Sequence, residues 1–167
     1  MFKLFLSLLV ILASSNASAF KLAVTMDVFQ DYKKFSKMYK FGSLNSFKSP
    51  YSRRDTVEVA LFLEALRLGG LNEKVEFVVI DSYKRIIKEL SLGRVDASAN
   101  SIWKYDTTNG LWLSDAIINK GEFNVGVYTS PINTSALTAT TVSEITSKSF
   151  VSNEHWSTDW KTLNSLN

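Results

Sequence analysis

Hydrophobic positions along the chain change period several times, and each change marks an element. Residues 4–12 form an apolar run broken only by Ser7. Residues 21–26 read as a short strand ending at Asp27. Residues 28–50 are polar and aromatic and read as a long connection. That connection carries the aromatics Phe29, Tyr32, Phe35, Tyr39, Phe41 and Phe47. They act either as packing anchors for it or, for one or two of them, as a flat wall for a ligand.

From Asp55 the pattern turns helical. Glu58 stands three residues on, as in a capping box, and Gly69 and Gly70 close the segment. Apolar side chains from Val57 to Leu68 cover nearly every face, which predicts a deeply buried helix. Residues 75–80 are rich in β-branched side chains and read as a second strand. Ser82 is a good N-cap, and Tyr83, Ile86, Ile87 and Leu90 recur at helical spacing until Gly93 supplies a left-handed stop. Residues 95–99 form a third strand. This alternation of strand and helix predicts an α/β fold with a parallel sheet and right-handed crossovers.

Further along, residues 123–128 alternate as a strand that Thr129, Ser130 and Pro131 end. Residues 138–147 are rich in Thr and Ser, with a short helical turn over residues 142–145. Residues 148–152 read as a strand, residues 153–158 as its terminal loop, and Ser157 caps a helix running through Trp160 and Leu163.

Composition narrows the class. In a chain of 167 residues, 46% hydrophobic and 21% charged positions suffice for a folded core of one or two small domains. The formal net charge is +3, but the basic residues are scattered rather than striped, so no nucleic-acid partner is expected. There is no cysteine, which removes disulfides, thiolate nucleophiles and thiolate metal sites. The amino terminus adds a location. Lys3 precedes the apolar run, and Ala17-Ser18-Ala19 supplies a small-residue cleavage site before Phe20. The run is shorter than the ~20 residues that span a bilayer. Residues 1–19 are therefore expected to be a cleaved signal peptide, and the mature chain to be periplasmic and not membrane-embedded.

Candidate chemistry gathers at strand ends, because loops leaving the carboxyl ends of parallel strands line the crevice of such a sheet. Ser98, Asn100 and Ser101 offer donors and acceptors there, or else satisfy a turn; Asp96 is expected to brace its own turn. Arg53 and Arg54 sit beside the helix amino terminus, where two guanidinium forks and backbone N–H groups would receive an anion. The alternative is a solvated pair flanking Asp55. Asp27, Asp96, Asp106 and Asp115 show no catalytic pairing by spacing, and no metal cluster, nucleophile elbow or phosphate loop is present. No catalytic residue, metal or cofactor is expected.

The strand near residue 21, the helix closed by Gly69-Gly70, the turn Leu90-Ser91-Leu92-Gly93-Arg94-Val95-Asp96 and the later Trp112-Leu113-Ser114-Asp115-Ala116-Ile117 together resemble the extracellular solute-binding proteins of family 3. In that family an L-x-x-G-(K/R)-x-D turn precedes a ligand loop, and an (F/L)-S-x-P-(Y/I) segment leads to the hinge. The resemblance spans residues 21–167. It implies a periplasmic-binding-protein type 2-like fold, with a first α/β lobe over residues 20–121, a hinge strand over 122–131 and the start of a second, incomplete lobe over 132–167. It also implies capture of a small polar solute between the lobes, for the permease of an ABC-type importer or for a sensor. The early end of the second lobe reads as a truncated copy, or as a reduced protein completed by dimerisation.

The amino-acid-binding branch carries a T-x-E-R segment whose arginine grips the ligand carboxylate, and Ser101-Ile102-Trp103-Lys104-Tyr105-Asp106 stands in its place. Lys104 is a point charge without the bidentate fork. Together with Trp103 and Tyr105, this shifts the expectation from an amino acid toward a flatter or sugar-like partner. By the same resemblance, His155 and Trp156 face the first lobe across the cleft. The candidate ligand-binding residues are therefore Asp27, Phe29, Arg53, Ser98, Asn100, Ser101, Trp103, Lys104, His155 and Trp156. The alternative function is a periplasmic enzyme on the same fold, either a dehydratase or the regulatory lobe of a lytic enzyme.

Overall fold

The computed structural model describes residues 19–42, 47–107 and 110–166; the expected signal peptide lies outside them except for Ala19. Three strands, β1 (Phe20–Val24), β2 (Val75–Val79) and β3 (Ala97–Ser98), form an all-parallel sheet in the order β2-β1-β3. Leu22 pairs with Phe77 on one side and with Ala97 on the other. The chain leaves β1 through α1 (Met26–Phe35) and α2 (Arg54–Leu68) to reach β2, then returns through α3 (Tyr83–Ser91) to β3 on the opposite side of β1.

Crossovers of one hand that run in opposite directions place their helices on opposite faces of the sheet, and the two core clusters have this arrangement. Leu22, Val24, Val28, Val59 and Ala99 pack on the α1/α2 face. Ala23, Ile80, Ile86 and Val95 pack on the α3 face. The last helix of each crossover, α2 and α3, ends as its glycine requires. Gly70 and Gly93 have positive φ, and Leu71 N–H donates to Leu66 O and Arg94 N–H to Glu89 O, each closing a Schellman turn. Ser82 caps α3, its hydroxyl accepting from Arg85 N–H at 3.4 Å.

Several expectations are corrected. The stretch after Asp27 is not all connection, since residues 26–35 form α1. Val28 and Phe35 bury on one stripe, Asp27 lies in the first turn, and Lys33 and Lys34 lie in the last, where the helix dipole favours them. The capping box at Asp55 does not form. Arg53 is the N-cap and its side chain makes no capping bond to the helix, while Glu58 turns toward β3. Nor is α2 buried all round. Its buried residues are Thr56, Glu58, Val59 and Ala60, while Leu61 and Leu68 are exposed. A 15-residue helix is ~22 Å long and overhangs strands of ~17 Å.

The expected strands over 123–128 and 148–152 are absent. Alternation makes a strand only where a neighbour completes the hydrogen-bond ladder, and among the described residues none pairs with these. Val125, Val127 and Val151 are accordingly exposed. The hinge expected over 122–131 is thus irregular chain. Beyond it lie three short helices, α4 (Thr134–Leu137), α5 (Val142–Thr146) and α6 (Ser157–Asn164). A capping box between Thr141 and Glu144 starts α5 at the place where a helical turn was expected. Trp156, not Ser157, is the N-cap of α6, because the Ser157 hydroxyl is engaged elsewhere. Among the described residues no helix is long and apolar enough to cross a membrane.

Leu22 on the central strand is fully buried, whereas Leu68 is 79% exposed. Leu22→Ala is expected to lower unfolding free energy by ~2–5 kcal/mol, and Leu68→Ala by less than ~0.5 kcal/mol. Urea denaturation of the two variants beside the parent chain checks this.

Candidate functional site

The order β2-β1-β3 reverses at β1, so the loops leaving β1 and β3 part at their carboxyl ends, and the first turn of α2 lies beside them. Asp27 follows β1. Its carboxylate accepts from the Thr25 hydroxyl at 2.6 Å and from Arg53 at 2.6 Å. Arg53 also pairs with Asp31 at 3.2 Å, one helical turn beyond Asp27. Together these interactions, the Thr25 hydroxyl first, hold the Asp27 carboxyl down at about 2 against an ordinary 3.8. Arg54 pairs with Asp55 at 2.7 Å and with Glu58 at 3.4 Å. The two guanidinium groups thus face four carboxylates and are not an open anion receptor, nor are they a merely solvated pair.

Glu58 connects this turn to β3. Its side chain is 6% exposed and accepts from Ser101 N–H at 3.0 Å and from the Asn100 side-chain amide at 3.4 Å. The same amide donates to Asp55 O at 2.9 Å. Ser98 turns onto its own loop, its hydroxyl donating to Asn100 O at 2.8 Å and accepting from Asn100 N–H. Much of the polar chemistry expected of the ligand loop is therefore engaged in fastening β3 to α2. Asp96 does not brace its own turn. It accepts from Lys21 N–H at 2.6 Å and ties the start of β3 to β1.

The open wall of this crevice is aromatic. Trp103 is 42% exposed, and its ring centroid lies 6.1 Å from that of Phe123, with the planes at 57°. The Arg54 guanidinium sits 4.7 Å from the Phe123 ring centroid, a contact of ~0.5–1 kcal/mol at an exposed site. Phe123 thus brings the irregular segment back over the mouth of the crevice. Lys104, next to Trp103, is exposed in a short 3₁₀ turn, Lys104–Asp106.

Not every predicted residue joins this group. Phe29 packs on the sheet face, 5.2 Å from Phe77. Phe35, Tyr39 and Phe47 form a cluster of their own, with centroids 5.0–6.0 Å apart, and Phe41 lies under Arg67. These aromatics of the connection are packing anchors. His155 and Trp156 are exposed at the start of α6, where His155 N–H donates to Asn153. No hydrogen bond or ring contact among the described residues joins them to the crevice.

Asp31, Glu58 and Phe123 escape the sequence reading. Asp27 and Asp31 stand four apart, a spacing that becomes meaningful once residues 26–35 are helical. The role of Glu58 was masked by its capping position, and Phe123 carries no local signal. Among the described residues no group of His, Cys, Asp and Glu is arranged to hold a metal ion.

Because the folded Asp27 carboxyl lies below its ordinary value, its contribution to stability is present above pH ~3.8 and is lost as pH falls through about 2. The side chain is 66% exposed, so solvent screens the effect and keeps it small. Carboxyl NMR titration is expected to place Asp27 near 2 in the parent chain and to move it upward in Thr25→Val. A midpoint at the ordinary value in the parent would contradict the geometry. Comparison of the chain with protein-family models, with curated proteins and with solved structures finds no match, so these residues alone bear on what the site does.

Proposed function

We propose that the protein is a periplasmic solute-binding receptor with a type 2-like binding-protein fold, taking a small polar solute at the carboxyl end of the sheet for an ABC-type importer or a sensor. The observation that carries this reading is the exposed Trp103–Phe123 pair at the end of β3, opposite the first turn of α2. Two tilted rings offer flat apolar surface to a solute face, and the polar rim of the crevice supplies orienting hydrogen bonds. The charge around the crevice favours a neutral solute over an acid, because Asp27, Asp31, Asp55 and Glu58 outnumber Arg53 and Arg54. A sugar-like molecule combines an apolar ring face with hydroxyls and suits both features.

A thermal-shift screen of the full chain against sugars, amino acids, organic acids and short peptides tests this. A ligand at a hundredfold excess over its Kd stabilises by ~2.7 kcal/mol, which is a shift of several degrees for a domain of this size. A neutral sugar-like solute is expected to give the largest shift. Trp103→Ala is expected to remove that shift while the unliganded chain still unfolds cooperatively, at a melting temperature lowered by the lost Phe123 contact. Asn100→Ala lowers the unliganded melting temperature as well, since its amide holds Asp55 and Glu58. An organic acid giving the largest shift, or full retention in Trp103→Ala, would sink the reading. Conversion of the solute during incubation would move it to an enzyme.

A further inference from the structure

A groove of about 590 Å³ runs along the outer side of α3, away from the crevice. This size is ordinary for a small-molecule site. Side chains four apart on a helix stack in rows, and α3 brings two rows to the groove. Tyr83, Ile87 and Ser91 make the floor, and Lys84, Lys88 and Leu92 make the rim. The opposite wall comes from Asp106 and Ser157. Asp106 accepts from the Tyr83 phenol at 3.0 Å and from the Ser157 hydroxyl, both neutral donors, so its charge stays on the wall opposite the rim and directs an anionic head to the lysine side.

The charges on the helix are unevenly matched. Glu89 lies 3.8 Å from Arg85 and 3.3 Å from Arg94 and so serves both guanidinium groups. Among the described residues no carboxylate pairs with Lys84 or Lys88. Two ammonium groups therefore edge an apolar floor, their alkyl stems extending it. That complementarity selects a ligand with one anionic end and an apolar body.

We propose that this groove binds a carboxylate carried on an acyl chain, with the head between Lys84 and Lys88 and the chain over Ile87, Leu92 and the Tyr83 ring. The site shares no residue with the crevice and stands whether or not a solute binds there.

Octanoate, octanol and octylamine, each below its micellar concentration, are titrated into the full chain and followed by amide chemical shifts. Octanoate is expected to bind at one saturable site that moves the amides of α3, at least tenfold more tightly than octylamine. The exposed pair Lys84→Gln/Lys88→Gln is expected to weaken octanoate at least tenfold while leaving octanol unchanged. Leu92→Asn is expected to weaken octanoate and octanol alike. Absence of octanoate binding, equal binding of octylamine, or an unchanged affinity in the lysine double variant would each overturn the proposal. So would binding to anionic vesicles without any response to octanoate, which would make this face a membrane contact.

Discussion

Everything else in the structure depends on the burial of β1 from all four sides. Leu22, Ala23 and Val24 have no accessible surface, and a strand in that position must satisfy every backbone N–H and C=O through its neighbours. It does so in parallel on both edges, with β2 and β3. Parallel pairing demands long crossovers, and two crossovers running in opposite directions from one central strand place α1 and α2 on one face and α3 on the other. Side-chain alternation along β1 then divides the core, Leu22 and Val24 facing α1 and α2, Ala23 facing α3.

A sheet of three short strands is a narrow platform, and carboxylates hold its ends. Asp96 receives Lys21 N–H at the start of β3, Asp81 receives Met26 N–H beyond β2, and Glu58 receives Ser101 N–H beyond β3. A hydrogen bond to an ionised acceptor is about twice as strong as a neutral one, so each of these contacts fixes a loop that the apolar core does not reach. Of the acids around the crevice, Glu58 therefore has a mechanical role. Asp27, Asp31, Asp55 and Glu58 together outnumber Arg53 and Arg54, which leaves an excess of negative charge beside the first turn of α2.

The chain's first half was largely legible because its signals are local. Val75 to Ile80, the Ser82 cap and the Gly93 stop are each written within a few residues, and the parallel alternation follows from their order. Residues 26–35 were read as connection although Val28, Tyr32 and Phe35 stand at i, i+4 and i+7 on one helix face, because the polar residues between them and the aromatics that continue to Phe47 drew the whole stretch into one loop. Residues 123–128 failed for the opposite reason. Their alternation is clear, but a strand needs a partner, and partnership is not a property of the segment itself. The candidate site divides the same way. Asn100 and Ser101 were placed correctly at the end of β3, yet their bonds to Asp55 and Glu58 span more than forty residues in sequence. Phe123 meets Trp103 only through the path of an irregular chain.

Residues 101–106 have the crevice on one side and the α3 groove on the other, and Tyr83 is what fixes them between the two. Its phenolic oxygen accepts from Trp103 N–H at 3.0 Å and its O–H donates to Asp106 at 3.0 Å. Burial first of all pushes the phenol well above its ordinary value, and the neighbouring Asp106 carboxylate adds to this. The proton therefore stays on Tyr83, because losing it would set a phenolate against a carboxylate at hydrogen-bond distance. A phenylalanine in its place would leave Trp103 N–H without an acceptor and Asp106 with Ser157 as its remaining side-chain donor. One hydroxyl thus holds the Trp103 backbone beyond the end of β3, engages Asp106 in the wall of the α3 groove and, through the Asp106–Ser157 bond, ties α6 to the body of the sheet.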